Sequence, residues 1–254
     1  MKPAYGTLME LTEEFRGNQR GYLHRLEKGG VSLECWAEDY CKQHNTEYCN
    51  EYCIGYNQLK FLYRVSNIPK KYQKVHNLQL TEVDSDKQSF LESFRDNIVE
   101  NVEKGKGLIL LSPVRGNGKT TWACIMLNAY IKAVALDNDM SVRVKFISVP
   151  ELMQSLKDDF NREEKEMEKF KKHIKQADLV VWDDIGAENP SNWAKEVLYN
   201  YINYRISNNL SQIYTSNKSK EDLERVLGER IFSRMLGQCQ GLILKGDDHR
   251  RGGR

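Results

Sequence analysis

Eight residues near the middle of the chain, Pro113-Val114-Arg115-Gly116-Asn117-Gly118-Lys119-Thr120, restrict the fold more than any other feature. They match the phosphate-binding Walker A loop at every defining position except the first, where proline stands for glycine. Such a loop works only between a buried strand and a helix. Both flanks fit: the apolar run Leu108-Ile109-Leu110-Leu111 precedes it, and a helix is predicted over Thr121 to Ile131. Gly116 and Gly118 let successive backbone N–H groups turn toward phosphates at a helix N-terminus, where the helix dipole favours anions. Lys119 reaches the β- and γ-phosphates and the Thr120 hydroxyl holds magnesium. The candidate nucleotide-binding set is Pro113, Arg115, Gly116, Asn117, Gly118, Lys119, Thr120 and Thr121.

A second strand supplies the acids that this chemistry needs. Leu179-Val180-Val181-Trp182 runs directly into Asp183-Asp184, which places carboxylates at the C-terminal edge of a sheet, where ligands bind in α/β folds. Asp183 is the candidate for magnesium or its waters, and Asp184 for activating the attacking water. In isolation two acids after a strand also suit a solvated loop or a helix cap; the loop at 113–120 favours the catalytic reading.

The rest of the chain alternates in the same way. A helix is expected from about Ser85 to Glu103, a strand over Val142 to Ser148, then a long charged helical region with Leu152, Leu156, Phe160, Met167, Phe170 and Ile174 on one face. A helix from Asn192 to Ser207, a strand at Gln212 to Ser216, helices from Lys218 to Leu236 and a strand at Leu242 to Leu244 follow. Five strands alternating with helices imply a three-layer α/β sandwich on a mostly parallel sheet. A chain of 254 residues holds one such domain and a small second one. The expected boundaries are 1–66 for the small domain, 67–84 for a connector that Pro69 breaks away from any helix, and 85–254 for the nucleotide-binding domain. Net charge of +2 assigns no partner by itself. No apolar run approaches the ~20 residues that cross a bilayer, and Met1 to Arg20 lacks a signal-peptide core, so a soluble cytoplasmic protein without a membrane partner is expected.

Four of the six cysteines, Cys35, Cys41, Cys49 and Cys53, fall in one short stretch of the small domain. Cys41, His44, Cys49 and Cys53 follow C-x₂-H-x₄-C-x₃-C, with Cys35 as an alternative ligand. Thiolates and imidazole suit tetrahedral zinc, and a domain this small gains from a metal staple. Structural cysteines in a small core are the other reading.

With both nucleotide loops placed, the sequence resembles the AAA+ replicative helicase loaders of the DnaC/DnaI type, in bacterial or phage versions. The likeness is carried by Asp183-Asp184-Ile185-Gly186-Ala187-Glu188, Tyr214-Thr215-Ser216-Asn217 and Leu227-Gly228-Glu229-Arg230-Ile231-Phe232-Ser233-Arg234-Met235. The resemblance implies an AAA+ fold with a mainly helical zinc-binding domain in front, and Mg-dependent ATP hydrolysis at a slow, switch-like rate. It further implies self-association, a hexameric replicative helicase as partner, and single-stranded DNA as the track. Asn217 is similar to the sensor 1 position, against a plain strand-ending turn residue. Arg234 is similar to an arginine finger with Arg230 as its support or substitute, against a solvated helix face. Arg250 is similar to a sensor 2 arginine, against a basic tail. Two other readings share the core: a transposition-helper AAA+ ATPase, and a nucleotide-gated adaptor in which hydrolysis has no role.

Overall fold

The apolar runs Leu108–Leu111 and Leu179–Trp182 both lie inside one sheet, neither of them at an edge. The structure, a computed structural model, describes residues 49–135, 141–158, 164–187 and 192–248. The chain divides into two compact units, Met1–Lys60 and Phe61–Arg254. Helix α1 (Ile54–Ser66) begins in the first unit and ends in the second.

In the second unit, 3-10 turns at Lys70–Tyr72 and Glu82–Asp84 lead to α2 (Ser85–Asp96) and α3 (Ile98–Glu103). The order then runs β1 (Gly107–Leu111), α4 (Lys119–Val134), β2 (Val144–Ser148), α5 (Val149–Asp158), α6 (Glu164–Gln176), β3 (Leu179–Asp183), α7 (Asn192–Ser207), β4 (Ser211–Ser216), α8 (Lys220–Leu227), α9 (Glu229–Gln238) and β5 (Cys239–Ile243). The five strands stand in the order β2-β3-β4-β1-β5. Every pairing is parallel, so the sheet is wholly rather than mostly parallel.

Parallel strands need helical crossovers, and these cover both faces, which explains why β1 and β3 read as nearly unbroken apolar runs. Leu108, Ile109, Leu110, Val180, Val181, Trp182, Ile213 and Tyr214 are fully buried. Each large aliphatic side chain so placed contributes about 1.5–3 kcal/mol relative to exposure. Helix α4 is buried nearly all round, from Trp122 to Leu127, as suits an element lying between the sheet and the chain that precedes it. β5 is an edge strand with three of its five residues exposed.

Several boundaries differ from the sequence reading. The expected helix from Ser85 to Glu103 is broken at Asn97, whose backbone leaves the helical region (φ −106°, ψ 28°) and whose Nδ2 donates back to Ser93 O. β5 begins at Cys239 rather than Leu242, because its parallel pairing with β1 is made by backbone groups at Gln240 and Gly241, residues without strand character. The charged region after β2 is two helices, α5 and α6.

Residues 67–84, read as a connector, are packed into the second unit. Asn128 on α4 donates to Tyr72 O and Val75 O at 2.8 Å each, and Leu80 N donates to Gln88 Oε1 at 2.9 Å. The buried Asp84 carboxylate accepts from Lys245 N and Gly246 N just beyond β5. Gly246 is required there, since a Cβ would stand 2.1 Å from Thr81 Oγ1.

One buried side chain joins the helices to the sheet. Arg205 is wholly enclosed and donates to Ile174 O, Ala177 O, Asp178 O and Ser211 O. It thereby satisfies carbonyls at the end of α6 and the start of β4 that have no helical partner. Hydrogen bonds from a charged donor stabilise by about 1.5–3 kcal/mol each, and orphaned buried carbonyls cost a comparable amount. Arg205→Met is expected to lower unfolding free energy by at least about 3 kcal/mol, read from denaturant midpoints, and Arg205→Lys to recover little, because one ammonium cannot span four carbonyls.

Candidate nucleotide site

The C-terminal ends of β1, β3 and β4 lie side by side, with Leu111 opposite Ser216 and Trp182 opposite Tyr214. The loop after β1 and the acids after β3 therefore open on the same edge of the sheet. Gly116 and Gly118 have φ of 78° and 96°, a region that costs L-residues about 1–2 kcal/mol. A Cβ on Gly118 would stand 2.5 Å from Leu78, and one on Gly116 1.8 Å from Asp248 Oδ1. Both glycines are needed for conformation and for space, and the chain beyond β5 runs beside the loop.

Inside the loop, Asn117 is buried and donates to Ser112 Oγ at 2.6 Å, so its side chain braces the turn and only its backbone is offered to a ligand. Lys119 Nζ donates to Val114 O at 2.9 Å and to Asn117 Oδ1 at 3.0 Å, which holds the ammonium over the cradle. Pro113 and Arg115 are exposed at the rim, while Thr120 and Thr121 are half-buried at the start of α4.

Across the gap, Thr120 Oγ1 donates to Asp183 Oδ1 at 2.8 Å. Thr215 Oγ1 donates to the same oxygen at 2.7 Å. Asp184 follows with a left-handed backbone, φ 56°, uncommon and strained for a residue with a side chain. Its N–H donates to Thr215 Oγ1 at 2.9 Å, and its Oδ1 accepts from Asn217 Nδ2 at 2.7 Å. Successive strand residues normally point to opposite faces. Here the kink at Asp184 lets both acids meet Thr215 and Asn217, two residues apart at the end of β4. Burial pushes the Asp183 carboxyl above its ordinary value, while the Thr215 and Thr120 hydroxyls and Lys119 oppose that rise and Asp184 adds to it. A half-buried carboxylate beside a threonine hydroxyl is a suitable donor set for a small hard cation.

The chain from Tyr56 onward is matched by a known family. The profile described as IstB-like ATP binding protein covers residues 56–254. The chain belongs to this IstB-like ATP-binding family. It is 26% identical over 167 residues to the replicative helicase loader DnaC of Escherichia coli strain K12, covering 64% of this chain and 61% of that one. It is 28% identical over 174 residues to the replicative helicase loader DnaI of Bacillus subtilis strain 168, covering 63% and 51%. The chain thus spans between half and about three fifths of the length of these relatives. A crystal structure of the DnaC helicase loader superposes with a TM-score of 0.57 at 27% identity, over 70% of this chain and all of the other. The α/β architecture and the nucleotide-binding AAA+ core are those of this family.

Asn217 and Asp184 are brought together. Arg234 is exposed on α9 and has no hydrogen-bond or ion-pair partner among the described residues. Arg230, one turn earlier, lies over the Tyr199 ring at 4.5 Å and so ties α9 to α7. Cys35, Cys41, His44 and Arg250 lie outside the described residues, whereas Cys49 and Cys53 are half-buried free thiols. Among the described residues no cluster of ligands assembles a metal site, and no helix is long and apolar enough to cross a membrane. Sequence reasoning missed Thr215 and Asp84. Thr215 lies inside the quoted Tyr214–Asn217 segment, but nothing local marks its hydroxyl as a partner of both acids.

The Asp183 environment gives a stability prediction. Because its folded pKa stands above the ordinary 3.8, the native state binds more protons than the unfolded chain over the interval upward from that value. Stability then falls as pH rises through the interval, and the penalty persists at neutral pH. Without nucleotide or magnesium, Asp183→Asn should melt above the parent protein at neutral pH and match it in acid below the ordinary carboxylate value. Thermal unfolding across pH checks this; equal melting at neutral pH counts against it.

Proposed function

We propose that this chain is an ATP-dependent loader that places a hexameric replicative DNA helicase on single-stranded DNA as replication begins. The observation that carries the catalytic half is the paired arrangement of Asp183, bonded to Thr120, and Asp184, bonded to Asn217. The loading half rests on likeness to DnaC and DnaI, both named replicative helicase loaders. That likeness gives no support to the transposition-helper reading.

The residues divide the work. Backbone N–H groups from Gly116 to Thr120 cradle the phosphates and Lys119 sets its charge against those where negative charge develops. Thr120 and Asp183 would hold magnesium, which when bound neutralises phosphate charge. Asp184 takes the proton of the attacking water, and Asn217 orients Asp184 and that water. An aspartate base is one methylene shorter than glutamate, which fits a slow switch. Arg234, exposed on α9, supplies the finger to a neighbouring copy, while Arg230, stacked on Tyr199, supports its helix. Arg250 acts as the sensor 2 arginine that reports nucleotide state. Cys41, His44, Cys49 and Cys53, with Cys35 as the alternative, bind one structural zinc in the domain that grips the helicase.

Substitutions at the nucleotide site and metal analysis test this. Lys119→Ala should abolish ATP binding, Asp184→Asn should bind ATP without hydrolysing it, and Arg234→Ala should keep ATP affinity as a monomer while losing hydrolysis and ATP-dependent assembly. Helicase delivered to single-stranded DNA should fail in all three, and full loading by Asp184→Asn would favour the adaptor reading instead. Metal analysis of protein purified under reducing, chelator-free conditions should find about one zinc per chain, lost when Cys49 and Cys53 are replaced by serine.

A further inference from the structure

Thr215 is 1% exposed at the end of the central strand β4 and is in direct contact with both acids. A hydroxyl has one proton and two lone pairs. The Asp184 N–H is itself a donor, so the Thr215 proton is committed to Asp183 Oδ1 and a lone pair to Asp184 N. Only this orientation satisfies both partners, and no rotation of the hydroxyl improves one without losing the other.

Two consequences follow from that geometry. Asp183 Oδ1 receives hydroxyl protons from Thr215 and Thr120, which fixes the carboxylate plane, while Oδ2 takes no hydrogen bond among the described residues. Asp184 leaves the strand in a left-handed conformation that would strand its N–H away from any ladder partner. Thr215 supplies that partner through its side chain, and its carbonyl accepts from Ile185 N at 2.9 Å, holding the kink from both ends.

We propose that Thr215 is a positioning residue that sets both acids at once: its hydroxyl orients Asp183 toward magnesium and fixes the backbone from which Asp184 reaches the attacking water. This rests on the hydrolytic reading of the site and deepens it. Because one hydroxyl serves both roles, metal coordination and water activation are coupled through it. A purely packing role for this buried side chain would depend on its methyl group instead, and the two roles separate by substitution.

The experiment uses the full chain carrying Thr215→Val, which keeps shape and removes the hydroxyl, and Thr215→Ser, which keeps the hydroxyl and removes the methyl. Two quantities are read: steady-state kcat and KM for ATP hydrolysis, and the gain in ATP affinity on adding Mg²⁺, from equilibrium binding with and without the ion. Loss of a group that orients a metal ligand typically costs about 10- to 100-fold. Thr215→Val should lower kcat by about that factor with KM changed less than about threefold, and should shrink the magnesium-dependent gain about tenfold. Thr215→Ser should restore both to within about threefold of the parent. Unchanged values in Thr215→Val overturn the proposal, as does a serine variant as impaired as the valine one. A parent protein that binds Mg-ATP but does not hydrolyse it overturns the hydrolytic reading alone, and the magnesium gain then decides Thr215. Should Thr215→Val fail to fold, Thr215→Cys, similar in size and a feeble donor, is judged by the same two quantities.

Discussion

Asp183 Oδ1 accepts from Thr120 at the start of α4 and from Thr215 at the end of β4, and in doing so it fastens three separate elements at one atom. The phosphate loop precedes α4, the acids end β3, and Asn217 follows β4. None of these can shift relative to the others without breaking a charge-assisted hydrogen bond, which is roughly twice as strong as a neutral one. The sheet order explains how this is possible. β4 lies between β1 and β3, so the strand that carries Thr215 is in register with both the loop strand and the acid strand.

The same constraint has a cost in stability. A carboxylate held where burial opposes its charge, next to a residue in a left-handed backbone, is not what a chain selected only for folding would contain. The surrounding apolar core, from Leu108 to Leu111 and from Val180 to Trp182, offsets that expense. Arg205 makes a parallel point at the opposite end of the strands, where a charge is buried to complete the helix end rather than to perform chemistry.

What the sequence disclosed and what it hid divide along physical lines. Apolar runs at β1 and β3, the glycines of the loop and the helix Asn192–Ser207 were legible because local periodicity and local backbone need specify them. β5 was placed three residues late because Gln240 and Gly241 are held by β1 rather than by any strand preference of their own. The break at Asn97 depended on a side chain bonding back to Ser93, which asparagine does in some contexts and not others. Thr215, Asp84 and Arg205 escaped notice for one reason: each acts on groups tens of residues away, many of them backbone atoms, and a list of residue types carries no trace of such partners.

The bonds from Asp84 to Lys245 N and Gly246 N have a mechanical meaning. They join the stretch that leads into the nucleotide-binding unit to the stretch that leaves its last strand, and both run beside the phosphate loop, through Leu78 at Gly118 and Asp248 at Gly116. A pull on the preceding chain meets the Asn128 bonds to Tyr72 O and Val75 O before it reaches Asp84, and a pull on the chain beyond β5 meets one carboxylate and two amides. Both lines of force end on elements that border the phosphate loop.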